Sequence, residues 1–210
     1  MAYKISEITR ERLIRSGEWL LARRGIGGVS AREVAKHADM RNNFSVGYHF
    51  GSMDGLIRNI LRDRVIGLED SRQALIDEGI AKDACPTQYW LECLLHPQIQ
   101  ARDSDGYHAY ASILCQYLPH YYPKGFPWQD GVNSDATPAF NRIVKSLRNC
   151  VPDLPADIFD RRLTNASLLY LNILVGLSGD PSLDAAGSEH YLIRDAIRQS
   201  MAVLTATWIE

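Results

Sequence analysis

Ser30-Ala31-Arg32-Glu33-Val34-Ala35-Lys36-His37-Ala38-Asp39-Met40-Arg41-Asn42-Asn43-Phe44-Ser45-Val46-Gly47-Tyr48-His49-Phe50 is the stretch whose reading decides the fold. Ser30 and Glu33 stand at the S-x-x-E spacing of a capping box. In that device the hydroxyl accepts from the amide three residues on, and the carboxylate reaches back to the first amide. Val34, Ala35 and Ala38 then mark one face of a short helix. Asp39 follows, a residue that tolerates the turn conformations ending such a helix. Met40 resumes an apolar position, and the polar cluster Arg41-Asn42-Asn43-Phe44-Ser45 opens a second short helix that runs to Phe50. A short anchored helix, a tight turn and a second helix predict a helix-turn-helix. Arg suits guanine and Asn suits adenine, while Ser, Tyr and His reach phosphate oxygens. Arg41, Asn42, Asn43 and Ser45 are therefore the expected base-reading set, and Ser30, Lys36, Tyr48 and His49 the expected phosphate contacts. By itself the stretch also fits a helical hairpin with a polar surface helix.

The flanks argue against the plain hairpin. Leu13, Gly17, Leu20 and Leu21 lie on one face of a first helix predicted over residues 6–24. Gly17 costs such a helix about 1 kcal/mol relative to Ala, so its place implies a close helix crossing. Leu13-Ile14-Arg15-Ser16-Gly17, Arg24-Gly25, Val29-Ser30-Ala31-Arg32-Glu33-Val34-Ala35 and Tyr48-His49-Phe50-Gly51-Ser52-Met53-Asp54-Gly55-Leu56 follow one another in order. Together these anchors resemble the TetR family of bacterial transcriptional regulators, from about Thr9 to Leu61. Two positions depart from the family pattern. Asp39 stands where a Gly is usual, and Met53 where the family has a phosphate-binding Lys. The Lys contact is not carried over.

The chain has 210 residues, long enough for one or two domains with a substantial core. Hydrophobic content of 46% and charged content of 23% are those of an ordinary globular protein. No apolar run approaches the roughly 18 residues of a membrane span. The N-terminus lacks the apolar core of a signal peptide, so the cytoplasm is the expected location, with no membrane partner. Net charge is −2 overall but unevenly spread. Residues 1–65 hold 12 Lys and Arg against 7 Asp and Glu, a local +5, and residues 66–210 hold 11 against 18, a local −7. A basic head on an acidic body suits phosphate attraction confined to one end. Cys85, Cys93, Cys115 and Cys150 form no C-x-x-C pair and read as reduced thiols.

Downstream the pattern is helical throughout, with no segment that reads as a strand. A fourth helix carries Leu56, Ile57, Ile60, Leu61 and Val65 on one side and ends at Gly67 or Gly79. The body then begins near Cys85-Pro86, with further helices expected over residues 107–118, from Pro138, over residues 155–177 and from Ser188. Residues 119–128 read as a loop on Pro and Gly grounds. The penultimate helix is apolar nearly all round in its last turns, which suits a pair of helices meeting its own copy. The resemblance implies the same, a four-helix homodimer interface, for which Leu169, Ile173, Ile197, Met201 and Leu204 are the expected residues.

Enzyme chemistry finds little footing: no G-x-S-x-G, no phosphate-cradling Gly-rich loop, no H-E-x-x-H. His96, His108 and His120 could combine with Cys93 or Cys115 around a metal, yet no pair has the i, i+4 spacing of helical ligands. No metal or cofactor is expected. The resemblance implies a small-molecule effector pocket in the aromatic middle of the chain, and Trp90, Cys93, Tyr107, Tyr110, Tyr117 and Trp128 are the candidates.

The expectation is an all-α protein, with a three-helix helix-turn-helix head over residues 1–52 and a helical effector-binding and dimerisation domain over residues 53–210. It would act as a non-enzymatic, ligand-responsive repressor binding a palindromic double-stranded DNA operator as a homodimer. Two rivals differ in class: an interaction protein on the same fold that has lost DNA binding, and a small-molecule enzyme built on the helical body.

Overall fold

A computed structural model describes residues 2–81, 84–121, 134–179 and 188–208. Helix α1 (Ala2–Arg24) buries Leu13, Leu20 and Leu21. It crosses α4 (Met53–Gly67) at Gly17, where an added Cβ would lie 2.9 Å from Leu56 and 3.3 Å from Ile60. The close approach expected of Gly17 is therefore real, and a half-buried ion pair spans the crossing. Arg64 of α4 donates from Nε and Nη2 to the two carboxylate oxygens of Glu18, at 2.6 and 2.7 Å.

Helices α2 (Ala31–His37) and α3 (Ser45–Phe50) lie between these two. The Ser30–Glu33 capping box is present in both directions. Asp39 turns the chain with φ of 55°, a left-handed conformation that Asp tolerates better than most side chains. The departure from Gly thus keeps the turn. Ser52 caps α4 by accepting the Gly55 N–H at 3.0 Å. Gly55 is required there, because a Cβ would fall 2.0 Å from the Phe50 carbonyl oxygen.

Both glycines considered as ends of the fourth helix end one. Gly67 closes α4, Leu68 makes the joint, and α5 (Glu69–Glu78) stops at Gly79 with φ of 77°. The buried Arg72 donates to the Val65 carbonyl at 2.9 Å across the joint. Glu69 pairs with Arg72 at 3.1 Å and also accepts the Ala139 and Phe140 amides, at 2.8 and 3.2 Å. A carboxylate from another helix thereby satisfies the first turn of α8 (Pro138–Cys150).

The body adds α6 (Pro86–Leu95), a 3-10 turn (His96–Gln100), α7 (Ala109–Tyr121), α9 (Ala156–Gly179) and α10 (Ser188–Thr205). α7 starts after Tyr107 rather than at it, because the Asp103 carboxylate accepts the Asp105 and Tyr107 amides at 2.9 and 3.0 Å and holds a turn. It also runs through Pro119, where a loop was expected. There the missing Pro119 N–H costs one bond, to the Cys115 carbonyl, and α7 ends two residues later at Tyr121. Helices α9 and α10 pack along their length, with the Ser200 hydroxyl donating to the Ala166 carbonyl at 2.7 Å. One apolar core runs from α1 through to α10 without interruption. Among the described residues there is no strand, and no helix long and apolar enough to cross a membrane.

Candidate functional site

The N-terminal head presents its polar cluster from a turn, not from a helix. α3 starts at Ser45, after Arg41, Asn42 and Asn43, because local side-chain bonds take over the backbone there. Asn42 Oδ1 accepts the Phe44 N–H at 2.9 Å, and the Ser45 hydroxyl donates to the Asn42 carbonyl at 2.6 Å. Ser45 is only 8% exposed and faces inward with Val46. It is therefore off the exposed face on which it was expected to stand. Arg41, Asn42 and Asn43 are exposed, and so is Lys36 on α2. Tyr48 is exposed, and half-buried His49 meets it edge-on at 5.0 Å.

Ser30 is exposed, but its hydroxyl is occupied. It accepts the Glu33 N–H at 3.3 Å and donates to the Glu33 carboxylate at 2.7 Å. Glu33 is held down to about 2, first by the Ser30 amide, then by the Ser30 hydroxyl and by Arg24. Arg24 closes on Glu33 at 2.6 Å, so its charge serves the capping box. Met53 packs against the core instead of presenting a cation. Sequence reading passed over Phe44, which sits within the polar cluster and is 81% exposed. Its place among side chains assigned to the reading face was the available signal.

Arg23, the neighbour of Arg24, joins head to body. Its guanidinium donates to Asp103 at 2.7 Å and to Asp105 at 2.9 Å, and lies over the rings of Trp19 and Tyr107 at 4.3 and 4.9 Å. The Trp19 indole N–H donates to Asp105 at 2.7 Å, and the same ring stacks on His37 of α2 at 5.0 Å. Further along α1, the Ser112 hydroxyl of α7 donates to the Ala22 carbonyl at 2.8 Å, and Gln116 accepts the Ile26 N–H at 2.8 Å.

The body contains a cleft of about 550 Å³ between α5 and α6, with Leu75, Glu78, Tyr89, Glu92, Cys93 and His96 in its lining. A second cleft of about 370 Å³ shares Leu75, Glu78 and His96 and extends along the turn that follows α6. Of the expected pocket residues only Cys93 lines the first cleft. Tyr110 and Tyr117 are 1% exposed and fill the core, Tyr107 is taken by Arg23, and Trp90 meets Tyr89 edge-on at 4.9 Å without lining the cleft. Trp128 lies outside the described residues. The residues missed here, Gln88, Glu92 and His96, form a polar stripe at helical spacing along α6.

Burial holds His96 below its ordinary range, with the Glu92 carboxylate opposing. His108 is fully buried and is also shifted down, by burial and then by Arg102. Its two ring nitrogens lie 2.7 Å from the Ser178 hydroxyl and 3.3 Å from the Ile99 carbonyl, which removes it from any metal set with His96 and His120.

On the last two helices, Ile197 is 1% exposed and Leu204 fully buried, both between α9 and α10 of the same chain. Met201 has its sulfur 3.9 Å from that of Cys85. Ile197 and Leu204 therefore face inward, contrary to expectation, and Leu169, Ile173 and Met201 remain half-exposed. The amphipathic stripe of a terminal helix marks the side facing its nearest neighbour, and here that neighbour is α9.

No family model matches this chain, and no curated protein matches it. Among solved structures the chain is similar to RolR in complex with the ligand resorcinol. The likeness spans 100% of this chain and 99% of that one, at 14% identity and a TM-score of 0.42. At that distance it says nothing about chemistry, and the functional reading rests on this chain's own residues.

Proposed function

We propose that this chain is a ligand-responsive transcriptional repressor of the TetR type, binding a palindromic operator as a homodimer in the cytoplasm and carrying out no enzymatic step. The observation that carries the reading is the helix-turn-helix itself. A capped α2, a left-handed turn at Asp39 and a buried α3 anchor hold Arg41, Asn42, Asn43 and Tyr48 exposed on the basic end of the molecule. Arg41 and Asn43 have no hydrogen-bond partner among the described residues, which leaves both free for base edges.

A two-fold dimer doubles the few contacts of one head on symmetry-related half-sites. The outer flank of α9, with half-exposed Leu169 and Ile173, is the surface we assign to the partner copy. The division at residue 52 is then functional, between reading and response. The effector is assigned to the cleft at Glu92 and His96. The turn carrying His96 leads directly into Asp103 and Asp105, which hold Arg23 and Trp19, and Trp19 stacks on His37 of the head. A ligand that prefers one setting of this clamp would bias the spacing of the two heads.

The test is selection of duplexes from a random library by the full chain, followed by titration against salt and light scattering at matched concentration. A palindromic site should emerge and bind at least about a thousandfold tighter than random duplex, with affinity falling as salt rises. An interaction protein on the same fold, for which core-packed Met53 is the best support, would select nothing. A monomer at micromolar concentration that still binds a palindrome tightly would remove the dimer.

A further inference from the structure

Phe44 and Tyr48 are the two most exposed large apolar side chains among the described residues, at 81% and 82%. They stand one helical turn apart, and the Tyr48 N–H donates to the Phe44 carbonyl at 3.0 Å, which places both rings on one side of α3. The opposite side carries buried Val46 and Ser45. Gly47 lies between the rings, and an added Cβ there would meet nothing within 4 Å. The surface between the rings is thus flat and open. Phe44 is also held from below, since its own amide is bonded to Asn42 Oδ1 at 2.9 Å. Two exposed rings one turn apart make an apolar patch, the kind of surface that a partner covers.

The surroundings say which partner. Arg41, Asn42 and Asn43 precede Phe44, Lys36 and Arg32 are exposed on α2, and residues 1–65 carry a net +5. The exposed Asn43 amide beside the ring favours a partner that offers hydrogen-bonding edges and anionic groups together. The major groove of duplex DNA is such a partner. It is lined by phosphates, it offers base edges to Asn and Arg, and its one apolar group is the C5 methyl of thymine, which Phe contacts well.

The geometry points to Phe44 as a specificity-determining residue that reads a thymine methyl in each half-site. The inference rests on the operator-binding function proposed above and adds a base identity to it. Asn43 and Arg41 select by hydrogen bonds, and Phe44 selects by burying one methyl group. Burying a methyl is worth about 0.8 kcal/mol, or about fourfold in affinity, and about fifteenfold when both half-sites of a dimer are counted.

The experiment replaces each thymine of the selected operator by deoxyuridine, which removes only the methyl, and titrates the full-length wild type, Phe44→Ala and Phe44→Leu. One symmetric pair of thymines should cost the wild type about fifteenfold when replaced. Phe44→Ala should lose a similar factor on the thymine operator and become indifferent to the replacement. Phe44→Leu should retain part of the methyl preference. Because Phe44 is on the surface, all three proteins should melt at the same temperature, and that measurement shows that binding, not folding, has changed. If the wild type is indifferent at every thymine, or if Phe44→Ala keeps the full penalty, Phe44 does not read a methyl, although operator binding stands. A library that yields no selected duplex overturns the function and this inference together.

Discussion

The aromatic side chains of the head and of the body occupy opposite situations. Phe44 and Tyr48 stand in water at 81% and 82% exposure, while Tyr110, Tyr117 and Tyr170 are at 1% or less. The body is where the sequence concentrates its rings, and there they fill space between helices. The cleft beside them is walled instead by Gln88 and Glu92 of α6 and by His96 of the turn that follows it. The head packs Trp19 and Phe50 against the core but shows Phe44 and Tyr48 outward. In a helical protein aromatic density marks the core, and aromatic exposure marks a place prepared for a partner.

The largest expected effect sharpens that contrast directly. Tyr110→Ala should destabilise the fold by on the order of 3–5 kcal/mol, as for other large buried rings, whereas Tyr48→Ala should stay within about 0.5 kcal/mol. Chemical denaturation of both variants measures it. A Tyr110→Ala protein of wild-type stability would break the distinction. Next in size, Asn43→Ala should cost about 1–3 kcal/mol on the selected operator and leave random duplex nearly unaffected. Equal losses on both duplexes would return Asn43 to a solvated surface role.

The body should respond to acid as pH falls below 6.5. His96 and His108 both have folded values below the ordinary 6.5, so the folded state resists their protonation. Their contribution is fully present above 6.5 and is lost as pH falls below it towards the folded values. Denaturation midpoints across that window should fall with acidification, and His108→Asn should flatten the fall. A midpoint that rises as pH drops below 6.5 would contradict the burial described for His108. The smallest effect belongs to Lys36→Gln, which should lower the salt slope of binding by about one and weaken all duplexes alike. An unchanged slope would take Lys36 off the phosphate-contacting face.

The fold was legible in the sequence wherever a local rule decides the outcome. The capping box at Ser30 and Glu33, the cap at Ser52, the crossing at Gly17 and the helix start at Pro138 each follow from chemistry within a few residues or from a missing side chain. The site was less legible because it depends on which neighbour claims a side chain. Ser45 turned inward because its hydroxyl found the Asn42 carbonyl. Arg23 was drawn to two carboxylates of a turn that is distant in sequence. Ile197 and Leu204 face α9 of their own chain. In each case periodicity names the residue's face but not what lies opposite.

The uninterrupted core from α1 to α10 has a consequence for motion. Leu13 and Leu21 of the head belong to the same apolar body as Ile113 and Leu114 of α7, so there is no dry seam along which the head can open alone. Unfolding should be a single cooperative event, and the amides of Leu21 and Ile113 should exchange with solvent deuterium at one common free energy. Only the exposed tip, from Arg41 to Phe44, lies outside that unit and should exchange faster. A ligand held in the cleft would then slow exchange in the middle of α1 as much as in α7, because binding stabilises whatever unfolds together.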